Sequence, residues 1–243
     1  MIKSKMFLIL LCSAFFAQAQ TVDEVIESYI KAIGGREKVK NLSSIRTEMK
    51  MKAQMFEFPT TAWLKKDGSM RSETEIQGLK MVQAFNASDS SGWSVNPMQG
   101  DSKAHKMNDE QKKQMRDENR MEEALLDYKT KGHAAELLGK EDLDGDEVYK
   151  VMLTKKNGNI TYYYIDAQSY LIWKEESKIK FKDREYQSET YYSNYTTQDG
   201  ITSARTIENY SDGKVVMQMN IEKLEYNSKM EDTLFKMPEE KKN

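Results

Sequence analysis

The sequence predicts a mainly β chain of the α+β kind, in which an antiparallel sheet of about eleven strands curls and two helical segments lie over it. Three observations carry this. Apolar and polar residues alternate strictly over long runs, hairpin dipeptides recur between those runs, and just two stretches carry helical spacing instead.

The first helical stretch is Val22 to Ile33. Its apolar residues fall at Val22, Val25, Ile26, Tyr29, Ile30 and Ile33, one stripe of an amphipathic helix, and Gly34-Gly35 ends it. From Ile45 to Met55 the period changes to two. Ile45, Thr47, Met49, Met51, Ala53 and Met55 share one face, and Arg46, Glu48, Lys50, Lys52 and Gln54 share the other. Further strands are expected at Thr60 to Lys66, Met70 to Ile76, Lys80 to Asn86 and Gly92 to Val95, with Asp67-Gly68 as a hairpin signal. Asn108 to Tyr128 interrupts the series. It is rich in Glu, Lys, Gln, Met and Arg, lacks Gly and Pro, and opens on the capping pair Asn108-Asp109, so a helical insert is expected there.

Strands then resume at Ala135 to Leu143, Glu147 to Lys155, Ile160 to Asp166, Tyr170 to Ile179, Tyr186 to Tyr195, Thr202 to Tyr210 and Lys214 to Tyr226. Asp144-Gly145, Asn157-Gly158, Asp199-Gly200 and Asp212-Gly213 supply turns between them. A sheet this wide curls or closes, and helices covering a curled sheet enclose a cavity.

Residues 1 to 19 are expected to be a cleaved signal peptide: Lys3 and Lys5, an apolar run from Met6 to Phe16, then Ala17-Gln18-Ala19, with Gln20 as the new N-terminus. The run is too short for a permanent anchor, and no later segment is apolar enough to span a bilayer. The single cysteine, Cys12, follows the bulky Leu11 where a lipoprotein signal needs a small residue, so it is read as part of the discarded peptide. Residues 20 to 243 are then one cysteine-free domain with a short charged C-terminal tail, exported and built without disulfides. Without Lys3 and Lys5 the chain has 35 basic residues against 39 acidic ones, mixed in sign, which is no footprint for nucleic acid.

No catalytic constellation emerges, and the chain is read as a non-enzyme without cofactor or metal. His105 and His133 stand alone, and Asp142 to Asp146 is a hairpin turn, not a calcium loop. The pairs Glu122-Glu123 and Glu175-Glu176 read as solvated faces. The apolar faces, by contrast, use Met and Tyr heavily, with fourteen methionines after residue 19. Met is flexible and polarizable and suits surfaces that adapt to irregular apolar ligands, although it also serves as core filler.

Three segments in order, Trp63-Leu64-Lys65-Lys66, then Ser91-Gly92-Trp93-Ser94-Val95-Asn96-Pro97, then Asp232-Thr233-Leu234-Phe235-Lys236-Met237-Pro238, resemble the LolA-type periplasmic lipoprotein carriers across about residues 21 to 238. The resemblance implies an incomplete antiparallel barrel lidded by helices, whose apolar cavity shelters acyl chains in transit between two membranes. It implies lipids or acylated lipoproteins as cargo and a freely diffusing monomer in the periplasm, meeting transfer proteins at the inner and outer membranes. The family's lid arginine corresponds to Lys66, and its proline to Asp67. Met49, Met51 and Met55 are the expected cavity wall, and Met115, Met121, Leu125 and Leu126 the cavity side of the lid. Trp63, Phe85 and Trp93 either line the mouth or pack as core. A lipid-sensing or scaffold protein acting through a protein partner, and a carrier of free lipid or glycolipid, are the competing readings.

Overall fold

Thr21 begins the first helix by capping. Its Oγ1 accepts a hydrogen bond from the Glu24 amide at 3.3 Å, and Glu24 Oε2 accepts from the Thr21 amide at 2.8 Å, so two otherwise orphaned donors are satisfied reciprocally. The computed structural model describes residues 20–239 apart from 119, 120, 122, 182, 183 and 212. Residues 1–19, expected to be a signal peptide and including Cys12, lie outside the described residues.

Helix α1 (Val22–Ala32) is followed by a short α2 (Arg36–Lys40) and then by β1 (Ser44–Ala53), β2 (Phe56–Lys65), β3 (Met70–Ile76), β4 (Leu79–Asn86), β5 (Ser91–Val95) and β6 (His105–Lys106). Helix α3 (Asp109–Glu118) leads into β7 (Ala134–Leu143), β8 (Asp146–Thr154), β9 (Ile160–Asp166), β10 (Ile172–Phe181), β11 (Arg184–Ser193), β12 (Thr196–Gln198), β13 (Ile201–Ser203), β14 (Thr206–Ser211) and β15 (Lys214–Tyr226). Thirteen strands form one antiparallel sheet in the order β6-β5-β4-β3-β2-β1-β15-β14-β11-β10-β9-β8-β7, and β12 pairs with β13 apart from it.

The two halves of the chain thus become two wings of one sheet, joined where β1 pairs with β15. The sheet curls but does not close: among the described residues, β6 at one edge and β7 at the other do not pair with each other. This is the expected curled sheet with helices over it, built from more strands than expected. The region read as one strand from Thr202 to Tyr210 is split: β13 ends at Ser203 and β14 begins at Thr206. The turn Gln77-Gly78 adopts positive φ at both residues, 52° and 76°, the geometry of a tight hairpin without a typical Asn or Asp to announce it.

The main core lies where α1 meets the second wing. Val25, Ile26, Tyr29 and Ile30 of α1 are buried against Val151, Leu153 and Ile165 of β8 and β9. The helix stops at Gly34, whose φ is +127° and where a Cβ would come within 2.4 Å of the Gly200 carbonyl oxygen. The Thr202 amide donates to the Ile33 carbonyl at 3.0 Å, which ties the helix end to the β12–β13 hairpin.

The helical insert differs from expectation. Asn108 caps α3 in a reciprocal pair with Gln111, each side chain accepting from the other's amide at 2.9 Å, but α3 ends at Glu118 and residues 124–132 are turns. The reason is that the segment has two anchors. Met115 packs with Phe85 and Met70 on the first wing, whereas Leu125, Leu126 and Tyr128 are buried in the α1 core on the second. Asp127, at φ +52°, lies within the second anchor and is incompatible with a helix running through it. The insert therefore passes from wing to wing.

The segment after Tyr226, read from sequence as a charged tail, runs back over the first wing. Phe235 is fully buried, its carbonyl accepts from Trp93 Nε1 at 2.9 Å, and Leu234 O accepts from Arg71 Nη1 at 2.9 Å.

Candidate functional site: an apolar chamber with a charged mouth

Between the wings, beneath α1, α2 and the insert, the concave face of the sheet encloses a chamber of about 470 Å³. That size lies in the range of small-molecule sites. β1 and β2 supply Ile45, Thr47, Ala62 and Leu64, with Met70 beyond them on β3. Register explains the set: Ile45 pairs with Leu64 and Thr47 with Ala62, so all four side chains stand on one face. From the other wing, Ile207, Ile221 and Leu224 reach the same space.

A second hollow of about 650 Å³ shares Val39, Leu42, Met121 and Glu123 with the chamber and forms its mouth. Charged groups line it, among them Lys40, Lys66, Asp67, Asp127 and Lys131. They also hold the cover together. Asp127 of the insert pairs with Arg36 and, at 2.5 Å, with Lys40, both on α2. Asp23 of α1 accepts from Tyr128 at 2.7 Å and Lys129 at 2.6 Å.

The chamber carries two carboxyl groups, Glu123 from the insert and Glu175 from β10. Glu123 Oε2 accepts from Tyr29 Oη at 2.9 Å. Glu175 keeps part of its surface open to the chamber but lies deep in the body. Burial, and then the charge of Glu123, push its carboxyl up to about 7, with a hydrogen bond from Tyr192 acting in the opposite sense. Burial and the Glu175 charge raise the Tyr192 and Tyr195 hydroxyls in turn, so both stay protonated donors.

The sequence-chosen residues divide by place. Met121 lines both chamber and mouth. Lys66 lines the mouth, but its Nζ donates to the Lys40 carbonyl at 2.5 Å, at the end of α2 and not on the insert. A cation there also favours the helix C-terminus. Met49 and Met51 continue the face of Ile45 and Thr47 towards the β1–β2 turn, beyond the chamber wall. Met55 leaves that face: β1 ends at Ala53, Gln54 turns at φ 55°, and Met55 is 94% exposed.

Trp63 borders the chamber and also an outer cleft beside Leu234, where it stands opposite Arg46 and Arg71 with the Arg46 guanidinium 5.7 Å from its ring. Phe85, Met115 and Leu125 are core, as above, and so is Trp93, packed with Val82 and Ala84 on the outer face. Leu126 is buried in the same α1 core but also edges the mouth.

Glu175 was missed because adjacent acidic residues were read as one solvated face. In a strand, neighbours point apart: Glu175 enters the chamber, while Glu176 accepts from Tyr164 at 3.0 Å and lies beside Lys174. Alternation was the available signal. His105 meets Asp101 at 2.9 Å on the surface, and His133 Nδ1 accepts from the Lys156 amide at 3.1 Å. Among the described residues no group of His, Cys, Asp or Glu is placed to hold a metal, and no helix is long and apolar enough to cross a membrane.

No protein-family model and no curated protein sequence matches the chain. Solved structures do match. A DUF1329 family protein from Desulfovibrio piger is 15% identical, with a TM-score of 0.58 over 89% of this chain and 98% of its own. A domain described as an outer membrane lipoprotein-sorting protein, from Vibrio parahaemolyticus, is 14% identical, with a TM-score of 0.55 over 87% and 94%. A LolA superfamily protein from Nitrosomonas europaea is 12% identical, with a TM-score of 0.54 over 90% and 98%. The chain has a LolA-like fold.

Proposed function

We propose that this chain is an exported, non-enzymatic carrier that shelters acyl chains in its chamber, in the periplasm, and moves lipoproteins towards the outer membrane. The observation that carries the reading is an apolar chamber reached through a charged mouth, inside a curled sheet left open at its edges. The LolA-like fold supports it at the level of architecture.

The physical task is demanding. At roughly 0.8 kcal/mol per buried methylene, a 16-carbon chain needs on the order of 12 kcal/mol of apolar shelter to leave a membrane. A cover whose helices and insert are tied to one another by hydrogen bonds and ion pairs, over a sheet that does not close, lets such a volume open and refill.

Protein purified without detergent should carry lipid or acylated peptide in native mass spectrometry, and should bind the neutral fluorophore N-phenyl-1-naphthylamine. Ala62→Trp, which fills the chamber from β2, should abolish fluorophore binding while the far-ultraviolet circular dichroism persists. Absence of cargo together with absence of fluorophore binding refutes the carrier reading. Extraction of acylated protein from inner-membrane vesicles separates a lipoprotein carrier from a carrier of free lipid, which would ignore that substrate.

A further inference from the structure

We propose that the chamber selects the polar end of its ligand: it accepts an acyl chain ending in a hydrogen-bond donor, an amine or amide, and rejects one ending in a carboxylate. The inference rests on the carrier reading and adds to it the chemistry of the end group.

The chamber itself supplies the site, with apolar walls from both wings and a volume suited to a small amphiphile. Among the described residues, the charged side chains lining it are Glu123 and Glu175, both acids. They come from opposite sides, Glu123 from the insert above and Glu175 from β10 below. Glu123 accepts from Tyr29 Oη and from the Leu125 amide, and Glu175 from Tyr192, yet a carboxylate has about four lone-pair sites and accepts more bonds than these. Spare acceptor capacity therefore faces the ligand.

The mouth does not reverse this preference. The cations there, Lys40, Lys66, Arg116 and Lys131, line the mouth and not the chamber: Lys40 is paired with Asp127, and Lys66 and Lys131 donate to the Lys40 and Glu123 carbonyls. A carboxylate-headed chain entering the chamber meets the two acids that line it, with Lys155 acting on Glu175 from outside the lining, whereas an ammonium or amide N–H meets acceptors. In a low-dielectric enclosure that difference is worth on the order of tenfold or more in affinity.

The test is displacement of N-phenyl-1-naphthylamine at pH 8 by dodecylamine and by laurate, which share a chain length and differ in the sign of the head. Wild type should release the fluorophore at roughly tenfold lower amine than laurate concentration. In Glu123→Gln/Glu175→Gln the fluorophore should still bind and the preference should vanish. Glu175→Gln alone, which leaves the Tyr29 bond to Glu123 in place, should reduce it partway and stands in if the double variant misfolds. Asp109→Asn/Glu136→Gln removes the same charge from the surface and should leave the preference intact.

Equal or tighter binding of laurate to wild type overturns the proposal. So does a preference unchanged by neutralising Glu175, or one lost equally in the surface control. If the fluorophore binds but no head-group preference exists, the carrier reading stands and the selection is wrong. If it never binds and the purified protein carries no cargo, both fall.

Discussion

Glu175→Gln should make the protein more stable, and increasingly so as pH rises. The Glu175 carboxyl titrates at about 7 in the folded chain, against an ordinary value of 4.5. Below pH 4.5 it is neutral whether the chain is folded or not, and costs nothing. Between 4.5 and 7 the folded chain holds a proton that the unfolded chain has lost, so stability from this group declines as pH rises through the folded value and is flat above it. Two and a half units correspond to about 3 kcal/mol of penalty at pH 8, an upper figure because the chamber admits water.

Gln matches the neutral acid in shape and carries no charge at any pH. The difference in unfolding free energy between variant and wild type should therefore be near zero at pH 4.5. It should grow to about 3 kcal/mol at pH 8, or roughly 6 to 12 °C in Tm for a chain of this size. Urea unfolding of both proteins at pH 4.5, 6, 7 and 8 measures it, and other titrating groups cancel in the difference. A difference that does not change with pH, or a variant less stable at pH 8, would refute the burial of Glu175 within reach of the Glu123 charge.

Two further outcomes concern the parts that position the chamber. Phe235→Ala should cost about 3 to 5 kcal/mol in urea unfolding, because a fully buried ring is removed from the outer face of the first wing; a cost below about 1 kcal/mol would mean that the last segment is not part of the fold. Lys66→Met should raise amide exchange in residues 36–42 while changing global stability by less than about 1 kcal/mol, since Lys66 is exposed and its Nζ bonds only the end of α2. Lys66→Arg should restore protection, and exchange identical in all three proteins would exclude the latch.

Alternation along β1 and the dipeptides Asp144-Gly145 and Asp199-Gly200 were readable because they are local: period two is set by the strand itself, and these pairs accept the positive φ that a tight turn demands. The cap on α1 was equally local, although the sequence reading placed the helix by its stripe and by Gly34-Gly35 at its end, not by its cap. Gln77-Gly78 shows the limit, since Gln is an uncommon residue at positive φ and the hairpin forms because β3 and β4 pair on either side of it. Methionine content likewise pointed to the correct face of β1 but not to the correct part of it. Where the wall begins depends on how far α1, α2 and the insert extend over the sheet, which is why Ile45 and Thr47 line the chamber and Met55 meets water.

By itself, then, the sequence determined the β-rich class, most strand and turn positions, the helix that opens the domain and the apolar face turned towards it, because each follows from neighbours a few residues apart. The chamber and its acids were decided by tertiary structure. Tyr29, Glu123, Glu175 and Tyr192 meet because α1 packs on the second wing, where β10 and β11 pair, and because the end of the insert is buried against α1. No local pattern encodes that meeting. It is fixed by which edges pair and which apolar faces are left to cover, a choice made by the energy of the whole sheet.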